Sequence, residues 1–343
     1  TLVGRAAGTL HHEAVGFRDL AAGDPMTKET LFRIASMTKP ITAIAVMILV
    51  DEGKLSPDDD VAKHLPEFAG QTLAAGGAPK RPVKLRDLLT HTAGLAAYPK
   101  ELGDVYGKRD KTLAETVSAV AKLPLAFEPG TKWSYSNPGI DTLGRVVEVV
   151  SGKAFEAFVA ERVFAPLGMA DTRFYPVATD LKRIALTYGK KDGKLDPGPF
   201  GLVGLPANPK HPIPAGGLIS TAADQAKVYR MMLHKGTLDG KRVLSEKAVA
   251  EMTKNQTGAI EPAGFVTGMG FGYGWAVVKE PKGVTAMLSP GTFGHGGAFG
   301  TQGWIDPAQD VFVILMIQRT GLTNGDASPF RQTLQELGVA AVK

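Results

Sequence analysis

Ser36 and Lys39 stand three residues apart at the head of an apolar run over residues 31–52, LFRIASMTKPITAIAVMILVDE. A serine hydroxyl is a weak nucleophile until a base takes its proton. A buried lysine can be that base, because desolvation lowers its pKa toward neutrality. Ser36 is the only serine in the chain with a lysine at the third following position. Tyr135-Ser136-Asn137 is likewise the only Tyr-x-Asn. A tyrosine beside a lysine ammonium gains phenolate stabilisation and can act as a base. The asparagine can donate to a substrate carbonyl and hold the lysine. A third run, Phe293-Gly294-His295-Gly296-Gly297-Ala298, is dense in glycine, which in a strand often marks a close approach of ligand or backbone. There the Ala298 N–H is a candidate oxyanion donor, paired with that of Ser36. Each motif alone has a plain reading: an N-cap serine before a surface lysine, a tyrosine packed in a turn, a structural histidine. Their occurrence together, in this order, points to acyl transfer.

The elements that position them follow from patterning. Ile41, Ile44, Ala45, Ile48 and Leu49 recur at helical spacing, and Val46, Met47 and Val50 fill the other side. A helix apolar nearly all round is buried. The expectation is a central core helix with Ser36 as its N-cap, Lys39 one turn on, and Gly53 closing it. Pro40 disfavours helical geometry at Lys39, so an irregular first turn is expected. Further helices are expected over 85–89, 112–123, 140–150, 154–163, 221–233, 245–252 and 329–337. Strands are expected over 1–10, 271–278, 301–305 and 311–317. Residues 189–215, rich in Gly, Pro and Lys, read as a long surface loop. Strands at both chain ends with helices between imply an α+β fold. An antiparallel sheet is built from both termini and flanked by helices, with a helical subdomain inserted. The expected division is 1–52 with 261–343 as the sheet unit and 53–260 as the mainly helical unit, the active site lying between them.

Composition narrows the classes. The 343 residues are 44% hydrophobic and 21% charged, with a net charge of +5 carried by scattered basic residues, so nucleic-acid binding is not expected. Without cysteine, thiolate metal sites, disulfides and cysteine nucleophiles are excluded. No apolar run is long enough to span a membrane. Asp58-Asp59-Asp60 reads as a helix start rather than a metal site, and no metal or cofactor is expected. His91, in Thr90-His91-Thr92, reads as a loop hydrogen-bonding residue. The chain opens on Thr1 with no recognisable leader, which leads to the expectation that residues before it were removed. Composition leaves the compartment and the oligomeric state open.

Taken together, Ser36-x-x-Lys39, Tyr135-x-Asn137 and His295-Gly296-Gly297 resemble the motifs of the penicillin-recognising serine hydrolases: class C β-lactamases, DD-peptidases and family VIII carboxylesterases. The resemblance covers nearly the whole chain, including LLTHTAGL (88–95), YSNPG (135–139), PLGM (166–169) and PAGGLISTAAD (214–224). It implies that Ser36, Lys39 and Tyr135 are catalytic, that Ser36 and Ala298 N–H groups form the oxyanion hole, and that Asn137, His295, Gly296 and Gly297 support substrate. His295 is expected to hydrogen-bond near Tyr135. In β-lactamases the third motif is Lys-Thr/Ser-Gly. A histidine with an ordinary pKa near 6.5 is mostly neutral at pH 7, and glycine removes a hydroxyl donor. Both weaken recognition of an anionic β-lactam and resemble the esterase and D-aminopeptidase branches. Arg331 matches an arginine that class C enzymes place near the substrate carboxylate. The expected function is a serine carboxylesterase acting on a small-molecule, short-chain ester. The rival readings are a β-lactamase or D-amino-acid peptidase with the same machinery, and a non-catalytic binding module that kept the fold.

Overall fold

In the computed structural model, which describes residues 1–198, 204–322 and 324–342, both chain ends enter one seven-stranded antiparallel sheet. Its strands are β1 (Leu2–Arg5), β2 (Gly8–His12), β3 (Met269–Phe271), β4 (Ala276–Val278), β5 (Phe293–Gly296), β6 (Gln302–Asp306) and β7 (Val311–Leu315). They lie in the order β3-β4-β5-β6-β7-β1-β2. The first strand therefore pairs with the last, with Val3 opposite Val313. The fold is mixed α and β, as expected.

β6 and β7 are buried at every position, because helices cover both faces. The period of two is still present in what each residue meets. Phe312 and Ile314 join the larger core with Tyr229, whereas Val311 and Val313 pack with Leu334 and Val339. Two expected strands prove to be hairpins. Residues 1–10 turn at Ala6-Ala7 into β1 and β2. Residues 271–278 break between β3 and β4, where Gly274 has φ +74° and its Cα faces α1 so closely that a Cβ would lie 2.4 Å from Ala43.

The helices that matter for the site are α1 (Lys39–Asp51), α2 (Leu85–Leu89), α3 (Leu113–Ala121), α4 (Asn137–Ser151), α5 (Ala222–Leu233) and α6 (Pro329–Ala340). α1 is buried from Lys39 through Leu49 and packs on α4, as an all-round apolar helix must. Gly53, at φ +69°, closes it. α6 covers one face of β7 and α5 covers the other. α5, which the sequence assigned to the helical unit over 53–260, thus lies on the sheet. The expected 189–215 loop contains a hairpin, Tyr188–Lys191 with Lys194–Pro197. Its two-residue turn is Asp192-Gly193, at φ +51° and +80°, which suits a tight hairpin. Residues 199–203 of that loop lie outside the described residues, and Ile213 and Ala215 at its far end are buried. The acidic triplet is paired with bases: Asp58 with Arg86, Asp59 with Lys63 and His64, Asp60 with Lys84.

Candidate active site

Ser36 is not the N-cap of α1. It sits in a 3-10 turn, Ala35–Thr38, and Thr38 precedes the helix proper. Pro40 lies in the first helical turn, where its missing N–H costs nothing. The irregularity expected at Lys39 falls one step earlier: Lys39 is helical, and Ala35 carries the strain at φ +45°. The tight turn lifts Ser36 half out of the core while Lys39 stays fully buried. Lys39 Nζ lies 3.0 Å from Ser36 Oγ and donates to the Ala215 carbonyl at 2.7 Å. Burial lowers its pKa to about 7, against the opposing pull of Asp141.

That opposing charge belongs to a network the sequence did not announce. Asp141, one turn along α4 from Asn137, is fully buried. It accepts hydrogen bonds from the hydroxyls of Tyr98 and Tyr106, each at 2.6 Å, and from the Ala215 N–H at 2.8 Å. Asp141 therefore fixes the peptide whose carbonyl fixes Lys39. Asn137 was expected to hold the lysine. It does not: its Oδ1 is buried and has no hydrogen-bond partner among the described residues, and Lys39 is held by Ala215 instead. The signal lay in PAGG at 214–217, whose role is carried by backbone and so leaves no side-chain mark.

Tyr135 directly precedes α4, whose N-cap Ser136 accepts from the Gly139 N–H. The Lys39 ammonium position lies over its ring, 4.6 Å from the centroid. His91, Phe265 and His295 enclose the ring at 4.5, 4.9 and 6.1 Å between centroids. Burial pushes the Tyr135 hydroxyl up, with a bond to Ser36 opposing and the charge of Asp326 adding to the rise. The expected phenolate is thus disfavoured, and the resting pair at neutral pH is a protonated phenol beside a lysine that titrates near 7. His91 acts in its loop, as expected: Nδ1 accepts from the Ser136 N–H at 3.2 Å and its carbonyl accepts from the Ser134 N–H.

The opposite wall is the end of β5. His295 does not hydrogen-bond to Tyr135. Its Nδ1–H donates to the Gly296 carbonyl at 2.7 Å, and burial pushes its pKa down to about 3, so the ring is neutral. Gly297 passes so close to the turn before Ser36 that a Cβ would lie 2.5 Å from the Ile34 carbonyl and 2.1 Å from Thr301 Oγ1. Ala298 lines the same cleft as Ser36, and neither backbone N–H donates a hydrogen bond within the described residues. The cleft holds about 370 Å³ and includes Ser36, Tyr135, His295, Gly296, Gly297 and Ala298. Phe265, Gln302, Asn324 and Asp326 also line it, none of them anticipated. Arg331 does not line it. Its side chain is fully buried against the face of Trp304, 3.6 Å from the ring centroid, and it bonds Gln335 and the Asp326 carbonyl. The arginine expected to meet a substrate carboxylate is a packing residue of α6.

A buried amine at hydrogen-bond distance from a half-exposed hydroxyl that lines a cleft is an arrangement for acyl transfer. The comparisons agree. The chain is 32% identical to Esterase EstB of Burkholderia gladioli, over 92% of this chain and 84% of that protein. It is 34% identical to Penicillin-binding protein 4 of Amycolatopsis lactamdurans, over 96% and 83%. The solved structure of EstCE1, a hydrolase with promiscuous acyltransferase activity, superposes with a TM-score of 0.83 at 28% identity, covering 99% of this chain and 92% of that one. The Beta-lactamase family model matches residues 2–337, and the chain belongs to that family of serine hydrolases.

Proposed function

We propose that the protein is a carboxylesterase that cleaves short-chain acyl esters of small molecules through an acyl-serine intermediate. The supporting observation is the third motif. His295 is neutral and Gly296 has no hydroxyl, so β5 offers no side-chain cation or hydroxyl to a β-lactam carboxylate. The name of the relative EstB supports the same reading.

In the first half-reaction the neutral amine of Lys39 takes the Ser36 proton, and Ser36 Oγ attacks the ester carbonyl. The Ser36 and Ala298 N–H groups hold the oxyanion; one such donor is worth roughly 10²–10³ in rate. Tyr135, a phenol at rest, gives its proton to the leaving alkoxide and recovers one from the Lys39 ammonium. In the second half-reaction the same pair takes a proton from water, which attacks the acyl carbon, and returns it to Ser36 Oγ as the acyl–oxygen bond breaks. In this reading Asn137 supports substrate from the N-terminus of α4. The site lies between a sheet unit (1–52 and 261–343, with α5 packed on it) and the rest of the mainly helical segment 53–260.

The test is parallel hydrolysis of p-nitrophenyl butyrate and nitrocefin by wild type and Ser36→Ala. Fast ester cleavage, slow nitrocefin turnover and loss of both in the variant is the expected result. Nitrocefin turned over much faster than the ester would replace this reading with a β-lactamase, the activity family that the likeness to Penicillin-binding protein 4 keeps in view. Activity surviving in Ser36→Ala would remove Ser36 as nucleophile.

A further inference from the structure

We propose that Asp326 makes the cleft select esters whose leaving group carries a positive charge, and disfavour those that carry a carboxylate there. This rests on the ester reading above and narrows its substrate class.

Among the described residues lining the cleft, Asp326 is the one side chain with a formal charge; His295 is neutral and the rest are uncharged. The carboxylate fills the space that a side chain at 296 would take: a Cβ on Gly296 would lie 2.1 Å from Asp326 Oδ1. It is held there by a built relay. Trp304 Nε1–H donates to Gln302 Oε1 at 2.9 Å, and Gln302 Nε2–H donates to Asp326 Oδ1 at 3.0 Å. The Asp326 N–H in turn donates to Asn324 Oδ1 at 3.0 Å. Asp326 Oδ2 accepts no hydrogen bond within the described residues, which leaves one oxygen for a ligand. The nearby cation does not cancel it directly. Arg331 donates to the Asp326 backbone carbonyl and to Gln335, and has no bond to the carboxylate.

Tyr135, whose hydroxyl feels the Asp326 charge, is the group that delivers a proton to the leaving alcohol. Tyr135 and Asp326 line the same cleft, so a charge on the alcohol that Tyr135 protonates shares that space with the carboxylate. A half-buried carboxylate lining a cleft attracts a cation and repels an anion. Specificity then comes from both the attractive and the repulsive term.

The experiment compares kcat/KM on three thiobutyrates with thiol leaving groups of similar size. They are butyrylthiocholine, its neutral isostere with carbon in place of nitrogen, and the thiobutyrate of a carboxyalkyl thiol. Wild type should rank them cationic, neutral, anionic, with the first about tenfold or more above the second. Asp326→Asn, which keeps the shape, should bring the cationic-to-neutral ratio close to one. A ratio unchanged by Asp326→Asn, or a wild type that prefers the anionic thioester, overturns the proposal. The wild-type ranking decides by itself if the variant does not fold. p-Nitrophenyl butyrate is measured alongside: a wild type inert toward it fails the ester reading, whereas one active toward it with no charge preference fails this proposal alone.

Discussion

The helical wall of the cleft and its sheet wall are built on opposite principles. On the helical side polar groups are matched in series: two tyrosine hydroxyls on Asp141, Asp141 on the Ala215 N–H, the Ala215 carbonyl on Lys39, Lys39 beside Ser36. On the sheet side, apart from the Trp304–Gln302 relay that holds Asp326, the features are absences. Gly297 has no Cβ, Gly296 yields its space to Asp326, and the buried Nε2 of His295 has no hydrogen-bond partner. The matched side sets protonation states, because a satisfied buried network holds its charges at defined positions. The bare side sets shape, because backbone can approach only where side chains are missing. In the proposed reaction, proton transfer falls to the helical wall and backbone shape to the sheet wall, and each can be broken separately.

The largest effect should come from the helical wall. Lys39→Met keeps the volume but removes the base, and Tyr135→Phe keeps the ring but removes the proton carrier. Each should lower kcat for p-nitrophenyl butyrate by about 10²–10⁴. Loss of substrate binding with kcat intact, read from steady-state kinetics, would place recognition on this wall and break the division.

On the sheet wall, Gly297→Ala should cost about 10²–10³ in kcat. Its Cβ would meet the Ile34 carbonyl, and the strand end carrying the Ala298 N–H must retreat from Ser36. The expected signature is a slow acylation step with an unchanged pH profile, since no titrating group is altered. A shifted profile would mean that the sheet wall also sets protonation.

The network behind Lys39 gives a finer test. Asp141 raises the lysine pKa against the effect of burial. Asp141→Asn removes that charge, so the acid limb of the kcat/KM profile, which follows deprotonation of Lys39 near pH 7, should move to lower pH by about one unit or less. A move to higher pH would show that Lys39 is not the group being read.

These two walls were not equally legible in the sequence. Side-chain motifs carried Ser36, Lys39, Tyr135 and the β5 glycines, because the chemistry needs those residue types and their order matches the family resemblance. The buried core helix and the terminal strands were legible from their apolar periods. What the sequence missed is carried by backbone or by distant partners. Ala215 acts through its carbonyl. Asp141 acts through tyrosines about forty residues away in the chain, and Asp326 reaches the cleft only because position 296 is empty. Arg331 was misplaced because a motif position fixes a helix, not the direction of a side chain: stacked on Trp304, it turns away from the cleft. The Asp192-Gly193 hairpin was hidden by the Gly and Lys content around it, although the dipeptide itself is a turn signal.

The last effect is on stability, and it separates the cost of the matched wall from its use. Lys39 titrates near 7 when folded, against 10.5 as its ordinary value. Between those pH values the unfolded chain binds more protons at this position than the folded one, so unfolding free energy rises with pH across the window. The contribution is complete above the unfolded pKa and is lost as pH falls toward 7; below 7 it adds no further slope. For one proton the slope is at most about 1.4 kcal/mol per pH unit. Other groups titrate in the same range, so the measurement is a difference: denaturant unfolding of wild type and Lys39→Met between pH 7 and pH 10. The gap between the two proteins should move in favour of wild type as pH rises. A gap that stays constant would mean that the folded lysine keeps its proton throughout, and the base in the mechanism would then have to be sought elsewhere.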